Sequence, residues 1–283
     1  MKDNPLFSII IPSYQQGNYI EQTLKSVLNQ DYPNKEVIVV DNLSTDGTLE
    51  VLKKYKNRIN VIREKDGGQT SAINKGIKIS KGDILAYLAS DDVYEKNTLN
   101  MVVDYFTTHP EAEIVYGKGR FIDEKGKDLG LYDTMSPTTE NLYIECVLSQ
   151  PAVFISRKAF EKIGVFDERL NYAMDYDYWI RAAISNLKFG FIDKILADTR
   201  LHKESKTVSQ KRKMFEEILL VLKKNYHRVS DQAIFNYAYV LGNKPLERMA
   251  YAFKAYAKYK QIPKLTGLRH LAILVKATLK KAG

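Results

Sequence analysis

The sequence predicts an α/β protein built on a doubly wound parallel sheet, and three observations carry that expectation. Short apolar segments alternate with segments of helical apolar periodicity through the first third of the 283-residue chain. The connections between them are short and rich in turn formers. Carboxylates stand at the tips of two strands, at Asp41 and at Asp91-Asp92, where ligands bind in open sheets of this kind.

Each element has its own reason. Leu6 to Pro12 is apolar and β-branched and is stopped by proline, which reads as a central strand. A loop through Ser13-Tyr14-Gln15-Gln16-Gly17-Asn18 leads to a helix with Ile20, Leu24, Val27 and Leu28 on one face. Glu36 to Val40 is a second buried strand with Asp41 at its tip. The cap and turn residues from Asn42 to Thr48 then open another helix. Ile59 to Arg63 is a third strand, and Asp66-Gly67-Gly68-Gln69 turns into a helix over Thr70 to Ile79. Ile84 to Leu88 is a fourth strand, and Ser90-Asp91-Asp92 follows it. Leu99, Val102, Val103 and Phe106 predict the next helix, Ile114 to Tyr116 a strand, and Gly119 to Leu131 a hairpin. Gln150 to Ser156 reads as a strand, Arg157 to Gly164 as a short helix closed by glycine, and Phe189 to Ile192 as a late strand.

The charge is uneven. From Lys206 to Gly283 the chain carries 17 Lys and Arg against 4 Asp and Glu, on a body that is mildly acidic. Two regions are expected, residues 1–206 and a basic helical region 207–283. Three apolar stripes run through the second. They are Met214, Ile218, Val221 and Leu222; then Leu246, Met249, Ala250, Phe253, Tyr256 and Ala257; then Leu268, Leu271, Ala272, Val275 and Leu279. Arg269, Lys276 and Lys280 fall beside the last stripe, a pattern open to two readings: packing on the body, or docking on an anionic membrane surface. No apolar run reaches a membrane span or a secretion signal. The lone Cys146 excludes an intrachain disulfide, fits a reducing compartment and reads as a packed residue. A cytoplasmic location is expected. No nucleic-acid module accompanies the positive charge.

The chemistry concentrates in aspartates. Asp91 and Asp92 repel each other unless they share a hard divalent cation with phosphate oxygens, or they cap the helix that follows. Asp41 can accept hydrogen bonds from a base or ribose, or stabilise its own turn. Asp175 and Asp177 stand two apart at a helix start, so they cannot share a face. One is expected in a cleft and the other as a cap. Tyr178 and Trp179 read as core residues.

Taken in order, Ser8 to Tyr14, Val39 to Thr48, Asp66-Gly67-Gly68-Gln69, Asn74-Lys75-Gly76, Gly82-Asp83, Ser90-Asp91-Asp92 and Met174 to Arg181 make the chain resemble a family 2 glycosyltransferase. The resemblance implies a GT-A, Rossmann-like doubly wound mixed sheet with a C-terminal helical extension, and an inverting, non-processive enzyme. It implies that Pro12, Ser13 and Tyr14 touch the nucleotide, and that Asp41 bonds its base, commonly uracil. Gln69 and Asn74 lie alongside the nucleotide. Asp91 is the ribose-side or sugar-side acid. Asp92 and His202 hold Mn2+ or Mg2+, and Asp175 is the general base. The partners implied are a nucleotide-sugar donor and a carbohydrate or lipid-linked acceptor, in cell-surface polysaccharide or glycolipid synthesis. The pattern departs at Met174, where the family commonly has Glu, so Asp177 and Asp167 are alternative bases. The Gln-x-x-Arg-Trp signature of processive synthases is absent. A sugar nucleotidyltransferase and a non-catalytic sugar-nucleotide scaffold are the rival readings.

Overall fold

The computed structural model describes residues 4–279. The chain opens with four strands alternating with helices: β1 (Phe7–Ser13), α1 (Ile20–Leu28), β2 (Lys35–Asp41), α2 (Thr48–Lys54), β3 (Asn60–Arg63), α3 (Gln69–Ile79) and β4 (Ile84–Tyr87). It continues through β5 (Val93–Tyr94), α4 (Thr98–Thr108), β6 (Ile114–Ile122), β7 (Asp128–Leu131), α5 (Thr139–Ile144), β8 (Val153–Ser156), α6 (Arg157–Ile163), α7 (Met174–Ile184) and β9 (Phe189–Arg200). Five helices end it: α8 (Lys206–Ser209), α9 (Lys211–Tyr226), α10 (Asp231–Leu241), α11 (Pro245–Lys258) and α12 (Leu265–Leu279).

The strands form one sheet in the order β3-β2-β1-β4-β8-β6-β9-β5, with β7 paired to β6. β3, β2, β1 and β4 are parallel to their neighbours. β8 runs antiparallel between β4 and β6, while β6 and β9 are parallel. The sheet is therefore mixed, where strand-helix alternation alone predicted a parallel one. The antiparallel pairs are β4–β8, β6–β8, β5–β9 and β6–β7, and only the last is joined by a short hairpin.

Every residue of β1 is buried, and its side chains alternate between two cores. Ile9 and Ile11 pack with Leu24 and Val39 on one face of the sheet. Ile10 packs with Ile73, Tyr87 and Trp179 on the other. Each fully buried aliphatic side chain contributes about 1.5–3 kcal/mol, so β1 is the most heavily anchored strand and a rigid base for the loop after it. Tyr178 and Trp179 are core residues as expected.

Several elements escaped the sequence pattern, among them α10, which matches none of the three C-terminal stripes. β9 spans 12 residues instead of four, because exposed and buried positions mix along it and its pairing with β6 shifts at Gly117 to Gly119. β5 has two residues, and α5 lies in a segment without clear periodicity.

Among the C-terminal helices, α9 places Leu219, Val221 and Leu222 in the core, and the partly buried Ile218 packs against it. The next two stripes are corrected. α11 buries Ala252, Ala255 and Tyr256 but leaves Leu246 and Phe253 exposed. α12 buries Leu271 and Leu274 but exposes Leu268 and Val275. Both helices are apolar on more than one side, and period alone does not select which side packs. Lys280 lies outside the described residues. Among those residues no helix is long and apolar enough to cross a membrane.

Candidate active site

β1 and β4 are neighbours, and the chain leaves them in opposite directions along the sheet. The crevice beyond their carboxyl ends is the switch point at which open sheets bind ligands. A cavity of about 620 Å3 opens there, a size that suits a small organic ligand. The ends of β1 and β4, the turn before α3, the start of α7 and the α8–α9 region all contribute to its wall.

Pro12, Ser13 and Tyr14 line it at the tip of β1. The Ser13 hydroxyl is buried with no hydrogen-bond partner among the described residues, a group left for a ligand to satisfy. Gln69 also lines the cavity. It follows Gly68, whose φ of +113° favours glycine and where a Cβ would stand 2.7 Å from Asn171 Oδ1. The turn is thereby pressed against the chain just before α7.

Asp41 and Asn74 behave differently. Asp41 is completely buried; its Oδ1 accepts the Ser44 hydroxyl at 2.5 Å and its Oδ2 the Ser44 N–H at 3.0 Å. Arg63 Nε stands 3.4 Å from Oδ2. The carboxylate is turned into its own loop, and Asn42 and Asp66 form the wall beside it. Asn74 donates to Phe166 O and Glu168 Oε1 and accepts from Phe166 N–H. It ties α3 to the segment before α7 and does not reach the cavity.

At the tip of β4 the two carboxylates part. Asp92 is buried, and its Oδ1 accepts the Arg200 N–H at 2.9 Å. Burial, then Asp91 beside it, pushes its carboxyl well above the ordinary range. Asp91 Oδ2 stands 2.9 Å from His202 Nε2, and Asp91 and Asp92 both line the cavity. His202 is itself buried and packs at 4.6 Å on the Tyr19 ring. The buried Arg200 guanidinium donates to the carbonyls of Asp91, Asp123 and Glu124 and to Gln22, which fixes the turn. The structure thus brings His202 to Asp91 rather than to Asp92.

The fit to a divalent ion can be judged from this pair. An ion with ligands at about 2.1 Å holds neighbouring ligand atoms roughly 3 Å apart, and the 2.9 Å between Asp91 Oδ2 and His202 Nε2 suits two such positions. No cluster of three or more His, Cys, Asp or Glu among the described residues could hold an ion alone. The remaining ligands would be diphosphate oxygens and water.

At the other end, Asp175 lines the cavity as the second residue of α7. Desolvation raises its carboxyl to about 6, against the lowering effect of hydrogen bonds at the helix start. The alternative bases are engaged elsewhere. Asp177 has no exposed surface and binds Arg181, Lys224 and Asn225, so it anchors α9 to α7 and is not the expected cap. Asp167 is held by Arg169 and Lys224, which keep its carboxyl well below the usual range.

Several lining groups carried no sequence signal. Tyr87 and Ser149 present buried hydroxyls without partners among the described residues. Cys146 packs against the core as expected and also borders the cavity; burial pushes its thiol up to about 12. Lys206 reaches the cavity beside Tyr172, and Met214 and Ile218 come from α9. Asp66 was visible as part of a turn, yet nothing local marked it as a wall residue.

The family model for Glycosyl transferase family 2 matches residues 8–164. An uncharacterized glycosyltransferase of Rickettsia prowazekii is 31% identical over 267 residues, covering 83% of this chain and 82% of the relative. Chondroitin synthase of Pasteurella multocida is 28% identical over 261 residues; the match takes in 91% of this chain but only 26% of that larger protein. Among solved structures, S. aureus TarS 1-349 in complex with UDP aligns with a TM-score of 0.61 at 22% identity, over 83% of this chain and 70% of that one. The mannosyltransferase PcManGT from Pyrobaculum calidifontis, in complex with GDP-Man and Mn2+, aligns with a TM-score of 0.65 at 18% identity, over 98% and 81%. These likenesses match the GT-A fold.

Proposed function

This chain belongs to glycosyl transferase family 2, and on that premise we propose that it moves a single sugar, with inversion, from a UDP-sugar to an acceptor hydroxyl. The observation that carries the reading is the single cavity at the switch point. It has Asp91, Asp92 and Asp175 on its wall, with His202 behind Asp91, together with the hydroxyls of Ser13, Tyr87 and Ser149, unpartnered among the described residues. Such hydroxyls suit a ligand rich in O–H groups.

In this reading Pro12, Ser13, Tyr14 and Gln69 receive the nucleotide, with Asp66 and Asn42 beside the base. Asp41 shapes that loop from below. Asp91 and His202 would hold Mn2+ or Mg2+, with Asp92 on the wall beside them and braced against Arg200. The ion, when bound, supplies positive charge that offsets the charge of the departing diphosphate. Asp175 accepts the proton of the attacking hydroxyl; a carboxyl raised to about 6 is a stronger base than an exposed one and is still ionised at neutral pH. Displacement by the acceptor itself inverts the anomeric carbon, so no enzyme nucleophile is needed, and the Cys146 thiol stays neutral. The catalytic domain is residues 1–206, and Thr207, Met214 and Ile218 of the basic helical region complete the cavity wall.

The acceptor we favour is lipid-linked, used at the cytoplasmic face of a membrane for surface polysaccharide or glycolipid synthesis. Support comes from Leu246 (64% exposed), Phe253 (51%) and Leu268 (53%), apolar side chains turned to solvent on helices that also carry Lys254, Lys258, Arg269 and Lys276. The full chain is expected to pellet with phosphatidylglycerol vesicles and not with phosphatidylcholine, and Phe253→Glu with Leu268→Glu to abolish pelleting. Equal pelleting of the double variant would remove the membrane from this account.

The test of the activity is UDP release from a panel of UDP-sugars with Mn2+. Turnover of one donor by the wild type is the expected result. Tight UDP binding without release from any donor would favour a binding scaffold over an enzyme.

A further inference from the structure

The segment that leads into α7 is held from outside. Glu217, on α9, accepts the backbone N–H groups of Asn171 (3.0 Å), Tyr172 (2.7 Å) and Ala173 (3.0 Å) on its carboxylate. Ala173 is the N-cap of α7 and offers no side-chain cap. A helix start carries unpaired N–H groups and partial positive charge, so a carboxylate there is well placed. This one comes from 44 to 46 residues further along the chain. Asp175 stands two residues beyond the clamp. Lys224 and Asn225, two turns along the same face of α9, take Asp177. Lys206 donates to Asn171 O at 3.0 Å from α8.

We propose that Glu217 is a positioning residue: it fixes the start of α7 so that the Asp175 carboxylate points into the cavity, and it makes the C-terminal helices a working part of the proton-accepting step. The proposal rests on Asp175 being the base. Its consequence is that the basic region cannot be removed, or pulled off the body, without moving the base.

Glu217 is also one of the charges felt by Asp175. Glu217 from α9 acts to raise the Asp175 carboxyl and Lys206 from α8 to lower it. Tyr87 from β4, with Tyr132 and Cys146 across the cavity, faces it as neutral groups. Removing the Glu217 charge should therefore ease Asp175 toward the ordinary carboxyl range.

The test uses the full chain as wild type, Glu217→Gln and Glu217→Ala, with amide hydrogen exchange and UDP release from a UDP-sugar the wild type turns over. Amides 171–173 should exchange at least about tenfold faster in Glu217→Ala. kcat should fall roughly 10- to 100-fold, the scale of a displaced catalytic group, while KM for the donor changes less than about threefold. Glu217→Gln keeps one acceptor oxygen, so it should lose less kcat and shift the acid limb of kcat to lower pH. Faster exchange with unchanged kcat and an unmoved limb would make the contact structural only and overturn the proposal. Unchanged exchange in Glu217→Ala would overturn it as well; if that variant does not fold, Glu217→Gln carries the pH readout, and an unmoved acid limb with unchanged kcat there overturns the proposal. An inactive wild type with protected 171–173 amides sinks the base reading, whereas an active wild type indifferent to Glu217 sinks only the positioning role.

Discussion

The tip of β4 and the start of α7 each present two closely spaced carboxylates, and the cavity takes both members of the first pair but only one of the second. Asp92 Oδ1 accepts the Arg200 N–H and Asp91 Oδ2 meets His202, while both line the cavity. Asp177 turns inward to Arg181, Lys224 and Asn225, while Asp175 lines the cavity. Asp92 and Asp177 are both tied into the fold, but in different ways. Asp92 is held by a backbone N–H within the α/β body. Asp177 is held by side chains, two of them from a helix in the C-terminal region. Spacing along the chain does not tell the two roles apart; what each carboxylate touches does.

The largest expected effects separate Asp175 from Asp177. Asp175→Asn should cost transfer about 10²–10⁴-fold, the range for losing a general base, with UDP affinity by calorimetry unchanged. Asp177→Ala should act on stability instead. It leaves Arg181 and Lys224 without their buried partner, at a cost of about 3 kcal/mol, the low end for a broken buried pair because Lys224 reaches solvent. For a chain of this size that corresponds to a melting point lowered by roughly 6–12 °C. A thermally intact Asp177→Ala would break the comparison at α7.

A smaller contrast is expected at β4. Asp91→Asn should weaken the dependence of donor turnover on Mn2+ more than Asp92→Asn does. An amide at position 92 keeps the oxygen that accepts the Arg200 N–H and sheds a charge that burial disfavours. Manganese titration of UDP release checks this. A larger loss in Asp92→Asn would return the ion to Asp92.

The smallest effect runs against intuition. The Asp175 carboxyl is raised to about 6 in the fold, above its unfolded value near 3.8. The native state therefore binds that proton more tightly, and stability is lost as pH climbs between those two values. At neutral pH the ionised Asp175 costs roughly 1–2 kcal/mol after discounting for its partial exposure. Asp175→Asn should thus melt a few degrees higher at pH 7 and no higher at pH 4, by calorimetry at both pH values.

How much of this was legible in the sequence follows from the range of the contacts involved. β1, α1, β2, α3 and β4 announce themselves through local period, because each buries a face that recurs every two or 3.6 residues. The loop at Pro12 to Tyr14 and the turn at Asp91-Asp92 inherit their place from those strands, so their positions at the crevice could be read. The fates of individual carboxylates could not. Asp41 is spent on Ser44 and Arg63, and Asn74 on a segment 92 residues away. Glu217 looks like any helix-surface glutamate until α9 is laid against α7. On α11 and α12, apolar residues on more than one side hid which stripe would pack.

The most direct test is the pH dependence of kcat for UDP release by the wild type with Mn2+. Asp175 must be ionised to accept a proton, so the rate should fall about tenfold per pH unit below about 6 and level off above 7. A limb near 4, or a flat profile across that range, would contradict a cavity built around a raised Asp175 carboxylate.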